Sequence, residues 1–148
     1  MTGKSFDLII VGAGPAGLTA SIYASRYQLS NLVIGRVLGG MMTFAHKVEN
    51  YPGFISISGA ELGRKMGEQV NFLGARIMAE NVGRIKKRKN GFEVLTESGQ
   101  KFKGKTLIVA TGTQRRKLNI PGEKNIRVEV FLIALIATPL FLKIRRWR

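Results

Sequence analysis

The stretch Phe6-Asp7-Leu8-Ile9-Ile10-Val11-Gly12-Ala13-Gly14-Pro15-Ala16-Gly17 decides how this chain folds. Its first half is a mostly apolar run, the pattern of a parallel strand buried on both faces. Three glycines spaced G-x-G-x-x-G follow at once. Leu18 to Gln28 then reads as a helix with Leu18, Ile22 and Ala24 facing inward. Glycine turns are common, but one set between a buried strand and a helix has the context of a dinucleotide-binding turn. There Gly12 permits the sharp bend, Gly14 lets a diphosphate approach the backbone, and Gly17 lets helix and strand pack closely. Amides at the helix start face the phosphates, and each negative charge gains about 0.3–1 kcal/mol from the helix dipole.

Working outward, Leu32–Ile34 is a second short strand that closes a β-α-β unit. The acid expected about 20 residues after the glycines, to bind ribose hydroxyls, is missing: the strand runs into Gly35-Arg36 and the next acid is Glu49. A conventional NAD site is disfavoured on that ground. Gly35 to Gly53 reads as a glycine-punctuated loop. Ser58-Gly59-Ala60-Glu61 fits a capping box opening a helix whose core stripe is Leu62, Met66, Val70 and Leu73. Ala75–Met78 reads as a third parallel strand. Val82–Lys87, Phe92–Glu97 and Lys101–Lys105 read as a three-stranded antiparallel meander with turns at Lys89-Asn90-Gly91 and Ser98-Gly99-Gln100. Thr106–Ala110 reads as one more buried strand, ending at Thr111-Gly112.

Composition narrows the partners. The 148 residues hold 24 Lys and Arg against 9 Asp and Glu, a formal charge of +15, with 18 glycines and no cysteine. Disulfide scaffolds, zinc ribbons and thiol chemistry are excluded for the sequence as given. An excess of positive charge favours anionic partners. The cluster Arg84, Lys86, Lys87, Arg88 and Lys89 falls on an exposed hairpin and reads as a solvated tip; with no recognition motif, no nucleic-acid partner is expected. His46, the single histidine, has no second histidine or cysteine with which to share a metal, so no metal is expected. Gly3-Lys4-Ser5 lacks the upstream glycine and strand of a phosphate-binding P-loop. Met1–Asp7 has no apolar segment of signal-peptide length.

The far end differs in character. Val130–Leu142 carries no charge, and Lys143, Arg145, Arg146 and Arg148 follow, with Trp147 among them. A spanning helix needs about 20 apolar residues for about 30 Å of hydrocarbon. The uncharged run reaches only about 20 Å at 1.5 Å per residue, and Pro139 interrupts it. A short tail anchor is therefore the lesser reading.

Four motifs, in order, carry a resemblance: GAGPAG at Gly12–Gly17, GG at Gly39-Gly40, ENYPGF at Glu49–Phe54, and ATGTQRRKLNIPGE at Ala110–Glu123. From Ser5 to about Asn125 the chain resembles the amino-terminal part of thioredoxin reductases of the small bacterial and archaeal type. Related flavin reductases share the first and last motifs. The resemblance implies an α/β fold, a Rossmann-like FAD-binding domain with parallel sheet, helices and meander, here incomplete. It implies that Gly12, Gly14, Pro15 and Ala16 hold the FAD diphosphate above Gly17. Gly35, Gly39 and Gly40 would line the path from adenosine to flavin, Asn50 would contact the flavin side, and Val82 the adenine. Thr111 and Gly112 would end a strand beneath the cofactor. The family usually has Gln where Met41 stands, so a polar contact near the flavin is replaced by a thioether. Complete relatives pass a hydride from NADPH to FAD, then electrons to a cysteine pair and on to thioredoxin, as cytoplasmic homodimers.

In such relatives an NADPH domain with a Cys-Ala-x-Cys-Asp motif follows, and the chain then returns to finish the FAD domain. Here the composition changes after Ile126. Reading the last base of each tail codon with the first two of the next, Val130 through Lys143 admits V-S-Y-C-A-x-C-D-A-P-F-F-K, with x Tyr, His, Asn or Asp. The expectation is a partial FAD/NAD(P)-binding domain over residues 1–126 and an out-of-frame hydrophobic and basic tail over 127–148, the whole inactive alone. The coding DNA decides this: both cysteines must appear in the displaced frame. A fragment of a thioredoxin-reductase-like ferredoxin–NADP reductase, which lacks the cysteines, is the alternative within the flavoenzymes. A non-catalytic nucleotide-binding module with a membrane-associating tail is the alternative outside them.

Overall fold

The structure, a computed structural model, describes residues 5–113. The expectations for the tail, including the anchor, Trp147 and the displaced frame, lie outside the described residues. Among those residues no helix is long and apolar enough to cross a membrane.

The apolar run forms β1, Ser5–Val11, and Leu8 through Val11 are buried. Helix α1 spans Pro15–Arg26. It starts three residues before the expected Leu18, because Pro15 has its φ preset for a first helical position and lacks an amide that would go unbonded there. It stops before Gln28, which stands at φ +60°. Leu18 and Ala24 face inward as expected, and Ile22 is half-buried. Ser21, fully buried, donates to Asn31 Oδ1 at 2.5 Å, while Asn31 Nδ2 donates to Ser25 Oγ at 2.9 Å. That pairing lets polar side chains lie under the helix without leaving a bare donor. Strand β2 is Asn31–Ile34, and helix α2 is Gly59–Phe72. The Ser58 hydroxyl accepts from the Glu61 amide at 3.2 Å as the capping pattern predicts. The return half of the box is replaced: the Glu61 carboxylate takes Arg64 instead. Strand β3 is Arg76–Met78, β4 Val82–Arg88, β5 Gly91–Thr96 and β6 Lys101–Val109.

Strand order is β3-β2-β1-β6-β5-β4. The first four run parallel, and β4, β5 and the start of β6 form the antiparallel meander. Both helices lie on one face, where Leu18 packs with Leu62, Met66 and Val70. On the other face Val94 and Phe102 of the meander close over Ile9, Val11, Leu32 and Ile34. Three layers result: helices, parallel sheet, meander.

Two expectations are corrected here. Lys101–Lys105 and Thr106–Ala110 are not separate strands but one, β6, whose ladder with β1 runs in register from Ser5↔Lys103 to Val11↔Val109. Gly104 lets the strand pass close over β1, since a Cβ there would sit 2.9 Å from Ile9 Cγ1. Nor is Thr106–Ala110 a buried strand: Ile108 is 39% and Val109 60% exposed. The β5 ladder ends at Phe92↔Gly104, so beyond that point β6 is paired only with β1 among the described strands.

Asp7 ties three elements together. Its carboxylate accepts from the Ser30 amide and hydroxyl at 3.0 and 2.6 Å and from Lys105 Nζ at 2.7 Å. The Lys105 hydrogen bond, then those from Ser30, hold its pKa at about 2, below the ordinary 3.8. A depressed folded-state pKa gives stability that is present above the unfolded value and lost as pH falls through the folded one. Between pH 4 and 2 the thermal midpoint is therefore expected to fall more steeply for this chain than for Asp7→Asn, and parallel slopes would refute the linkage.

Candidate functional site

The strands β1, β2 and β6 all deliver glycine-bearing turns to the same carboxyl edge of the parallel sheet. Successive strands run β1, β2, β3 to one side, and β6 then joins β1 on the other. The crevice between β1 and β6 is thus the point where strand order reverses, the place where open α/β sheets bind ligands. Backbone bonds lock the edge: Gly12 donates to Ile34 O at 2.7 Å, Ala110 to Val11 O at 2.7 Å, and Gly35 to Met78 O at 3.0 Å.

Each glycine of the first turn has a distinct job. Gly12 stands at φ +115°, where a Cβ would also meet Ala110 O at 2.1 Å. At Gly17 a Cβ would lie 1.9 Å from Gly12 O and 3.3 Å from Ile10 Cγ2, so its lack of a side chain lets α1 pack closely on the turn and on the end of β1, as expected. Gly14 differs: nothing lies within 4 Å of where its Cβ would be. It caps α1 at φ −77°, ψ 178°, with no side-chain hydrogen bond to the helix start and Pro15 next. The opening amides, including that of Ala16, lie where a helix has no acceptor of its own. An open, uncapped helix start backed by two closely packed glycines suits a diphosphate in its donor chemistry and in the space left at Gly14.

The second loop is brought to the first. The Gly39 amide donates to Ala13 O at 2.8 Å, and a Cβ on Gly35 would lie 2.3 Å from Ala13 N. Gly40, at φ +57°, approaches Gly14 so closely that a Cβ would be 3.1 Å from its Cα. Within the stretch expected as loop, Gly40–Phe44 forms a short 3₁₀ turn, and Val48 bridges Ile57. Met41 sits in that turn and is 58% exposed. The structure thus gathers Gly12, Gly14, Pro15, Ala16, Gly17, Gly35, Gly39, Gly40 and Met41 around one region. Thr111 and Gly112, both exposed, follow β6 past Ala110 at the same edge, with Gly112 at φ +68°.

Asn50 lies exposed in a loop of its own, beside an open hollow formed by Glu49 to Ile55. Val82 opens β4, half-buried against the meander core, beside a register shift between Val82 and Arg84. Two contributors escape the sequence reading. Ala110 O backs Gly12. Gly59 holds the second loop, since a Cβ there would lie 1.8 Å from Met42 O. The Gly59 amide donates to Ala45 O at 2.8 Å. A glycine directly after a capping serine, where alanine would favour the helix, is the signal that could have exposed it. Among the described residues no group of three His, Cys, Asp or Glu is placed to hold a metal.

A family model described as pyridine nucleotide-disulphide oxidoreductase matches residues 6–134. Thioredoxin reductase of Bacillus subtilis (strain 168) is 41% identical over 124 residues, covering 83% of this chain and 39% of that protein. A 34.2 kDa protein in the rubredoxin operon of Clostridium pasteurianum is 43% identical over 129 residues, 86% of this chain and 42% of its own length. The crystal structure of Lactococcus lactis thioredoxin reductase is similar with a TM-score of 0.76 at 38% identity, covering 83% of this chain and 41% of that one. The chain spans about two fifths of the length of the curated relatives it matches.

Proposed function

Because the chain belongs to the pyridine nucleotide-disulphide oxidoreductase family, we propose that its glycine-lined edge is the diphosphate cradle of an FAD site of thioredoxin reductase type. The open space at Gly14, beside an uncapped helix start, carries this reading. When bound, FAD supplies a two-electron carrier. The residues of this chain bind and orient it: Gly14 and Ala16 offer amides to the diphosphate, and Gly12 and Gly17 keep the turn tight beneath. Gly35, Gly39 and Gly40 leave room along the cofactor's length. Asn50 would face the flavin and Val82 the adenine, with Thr111 and Gly112 closing the strand end.

The parent activity is NADPH-dependent reduction of a disulfide in thioredoxin, in a soluble cytoplasmic homodimer. Residues 1–126 would be one part of its FAD domain, and 127–148 an out-of-frame tail. The 148 residues contain no cysteine, so they carry no dithiol for that electron path, and this chain alone is proposed to be inactive. The exposed Ile108 and Val109 leave the sheet beside the cradle uncovered, which weakens cofactor binding.

Titrating the purified chain with FAD, followed by flavin fluorescence, is expected to show saturable binding with Kd no tighter than about 10 µM, about −7 kcal/mol. ADP, which offers the same diphosphate, should compete. No saturable binding would refute the cradle, whereas yellow protein with one tightly held flavin per chain would refute the incompleteness.

A further inference from the structure

The register of the meander arranges its charges in a way the sequence does not display. Residues paired across strands share a face. Ile85, Val94 and Phe102 form one cross-strand row, and Val94 and Phe102 are buried in the core. The residues one step along each strand therefore face outward. They form two rows, Arg84–Leu95–Lys101 and Lys86–Glu93–Lys103, and Arg88 extends the first strand beyond them. Arg84, Lys86, Lys101 and Lys103 are all exposed. None of the four has a carboxylate within ion-pair distance among the described residues.

Strand spacing of about 4.8 Å and a two-residue step of about 6.8 Å put the Cα atoms that carry these four cations at the corners of a rectangle about 10 by 7 Å. The sides are comparable to the Debye length of about 10 Å at 0.1 M salt, so neighbouring cations repel one another. Among the described residues only two acids share the face. Glu93, half-buried at its centre, pairs with Arg88 at 2.9 Å, and Glu97 at one end accepts from Asn81 Nδ2 at 2.9 Å. Arg88, and beyond it Lys86 and Lys101, hold the Glu93 carboxyl below its usual range.

We propose that this outer face of the meander is a docking surface for the phosphate backbone of duplex nucleic acid, bound without regard to sequence. A dense linear polyanion gains affinity by releasing counterions to each cation it meets, and a grid of cations without carboxylate partners among the described residues suits it. A lipid surface is disfavoured, because the only apolar side chain among the outward rows is the half-buried Leu95, which offers nothing to insert. Single strands are disfavoured, because no aromatic residue stands in those rows to stack a base. The basic hairpin, read from sequence as a solvated tip, is exposed as expected; what the structure adds is the in-register partnership with Lys101 and Lys103.

The test is fluorescence anisotropy of the full chain with a labelled 20-base-pair duplex at 50 to 200 mM salt. Four phosphate contacts correspond to a log–log slope of about −3.6, roughly a hundredfold loss across that range. Arg84→Gln with Lys101→Gln should make the slope shallower by about 1.8, with the far-ultraviolet circular dichroism unchanged. Arg26→Gln with Arg76→Gln removes the same charge from α1 and from β3 at the opposite edge of the sheet, and should leave the slope within 0.5 of the parent. Equal shifts in the two variants would overturn the proposal in favour of net charge alone. Binding to anionic phosphatidylserine vesicles without binding to the duplex would overturn it as well.

Discussion

Gly12→Ala is expected to cost about 2–6 kcal/mol of stability. A non-glycine residue held at strained positive φ costs about 1–3 kcal/mol, and Gly12 stands at +115°. The added methyl would also sit 2.1 Å from Ala110 O. That contact is with backbone bonded to β1, so relief requires parting β6 from β1, and forced overpacking of this kind costs a further 1–3 kcal/mol or so. Gly14→Ala is the paired comparison. Its backbone, at φ −77°, is open to any residue, and nothing lies within 4 Å of the new methyl. Its stability is expected to stay within about 1 kcal/mol of the parent, while FAD binding drops at least tenfold. Urea denaturation and flavin titration on the same preparations separate the two. Equal destabilisation by both substitutions would mean that the turn has no face reserved for a ligand.

Ile9→Ala is expected to lose about 2–5 kcal/mol, and Ile9→Val only about 0.5–1.5. Ile9 is fully buried in the cluster that holds the meander to the parallel sheet, with Leu32 and Ile34 in its own layer and Val94 and Phe102 above. Truncation opens a void between two layers whose spacing is fixed by hydrogen-bonded strands, so neither can collapse to fill it. Denaturant midpoints of the two variants read this out. An alanine variant no worse than the valine one would show that the layers do not pack on each other.

Much of this architecture is legible before any coordinates. Local rules suffice where a residue acts on its neighbours in sequence. The run Phe6–Val11 became a strand, the serine oxygen at 58 capped its helix, and the meander turns fell where glycines allow them. The first glycine turn was also read correctly in kind, since a sharp bend and an open approach are backbone properties. What sequence could not supply is contact between distant segments. It assigned Gly17 to helix–strand packing, rightly, but could not show that the nearest atom it spares is Gly12 O. It hinted, through a glycine after the capping serine, that something lies close to Gly59, but nothing in it names Met42 and Ala45 as what that glycine holds. It split β6 in two because an abrupt change from alternating to continuous hydrophobicity at Thr106 looks like a boundary. In fact the change marks where the strand loses β5 as its neighbour. The same blindness hid the outer face of the meander: Lys101 and Lys103 belong with Arg84 and Lys86 only through the ladder.

The uninterrupted course of β6 bears on how the molecule can come apart. One thread is woven through both fabrics, hydrogen-bonded to β5 over its first half and to β1 from Lys103 to Val109. Melting the meander by itself would strip that thread of its anchor at Gly104, and melting the parallel layer would do so from the other end. Regions that share a strand in this way tend to open as a single cooperative unit, so the chain has no natural seam along which one layer could be shed while the other survives.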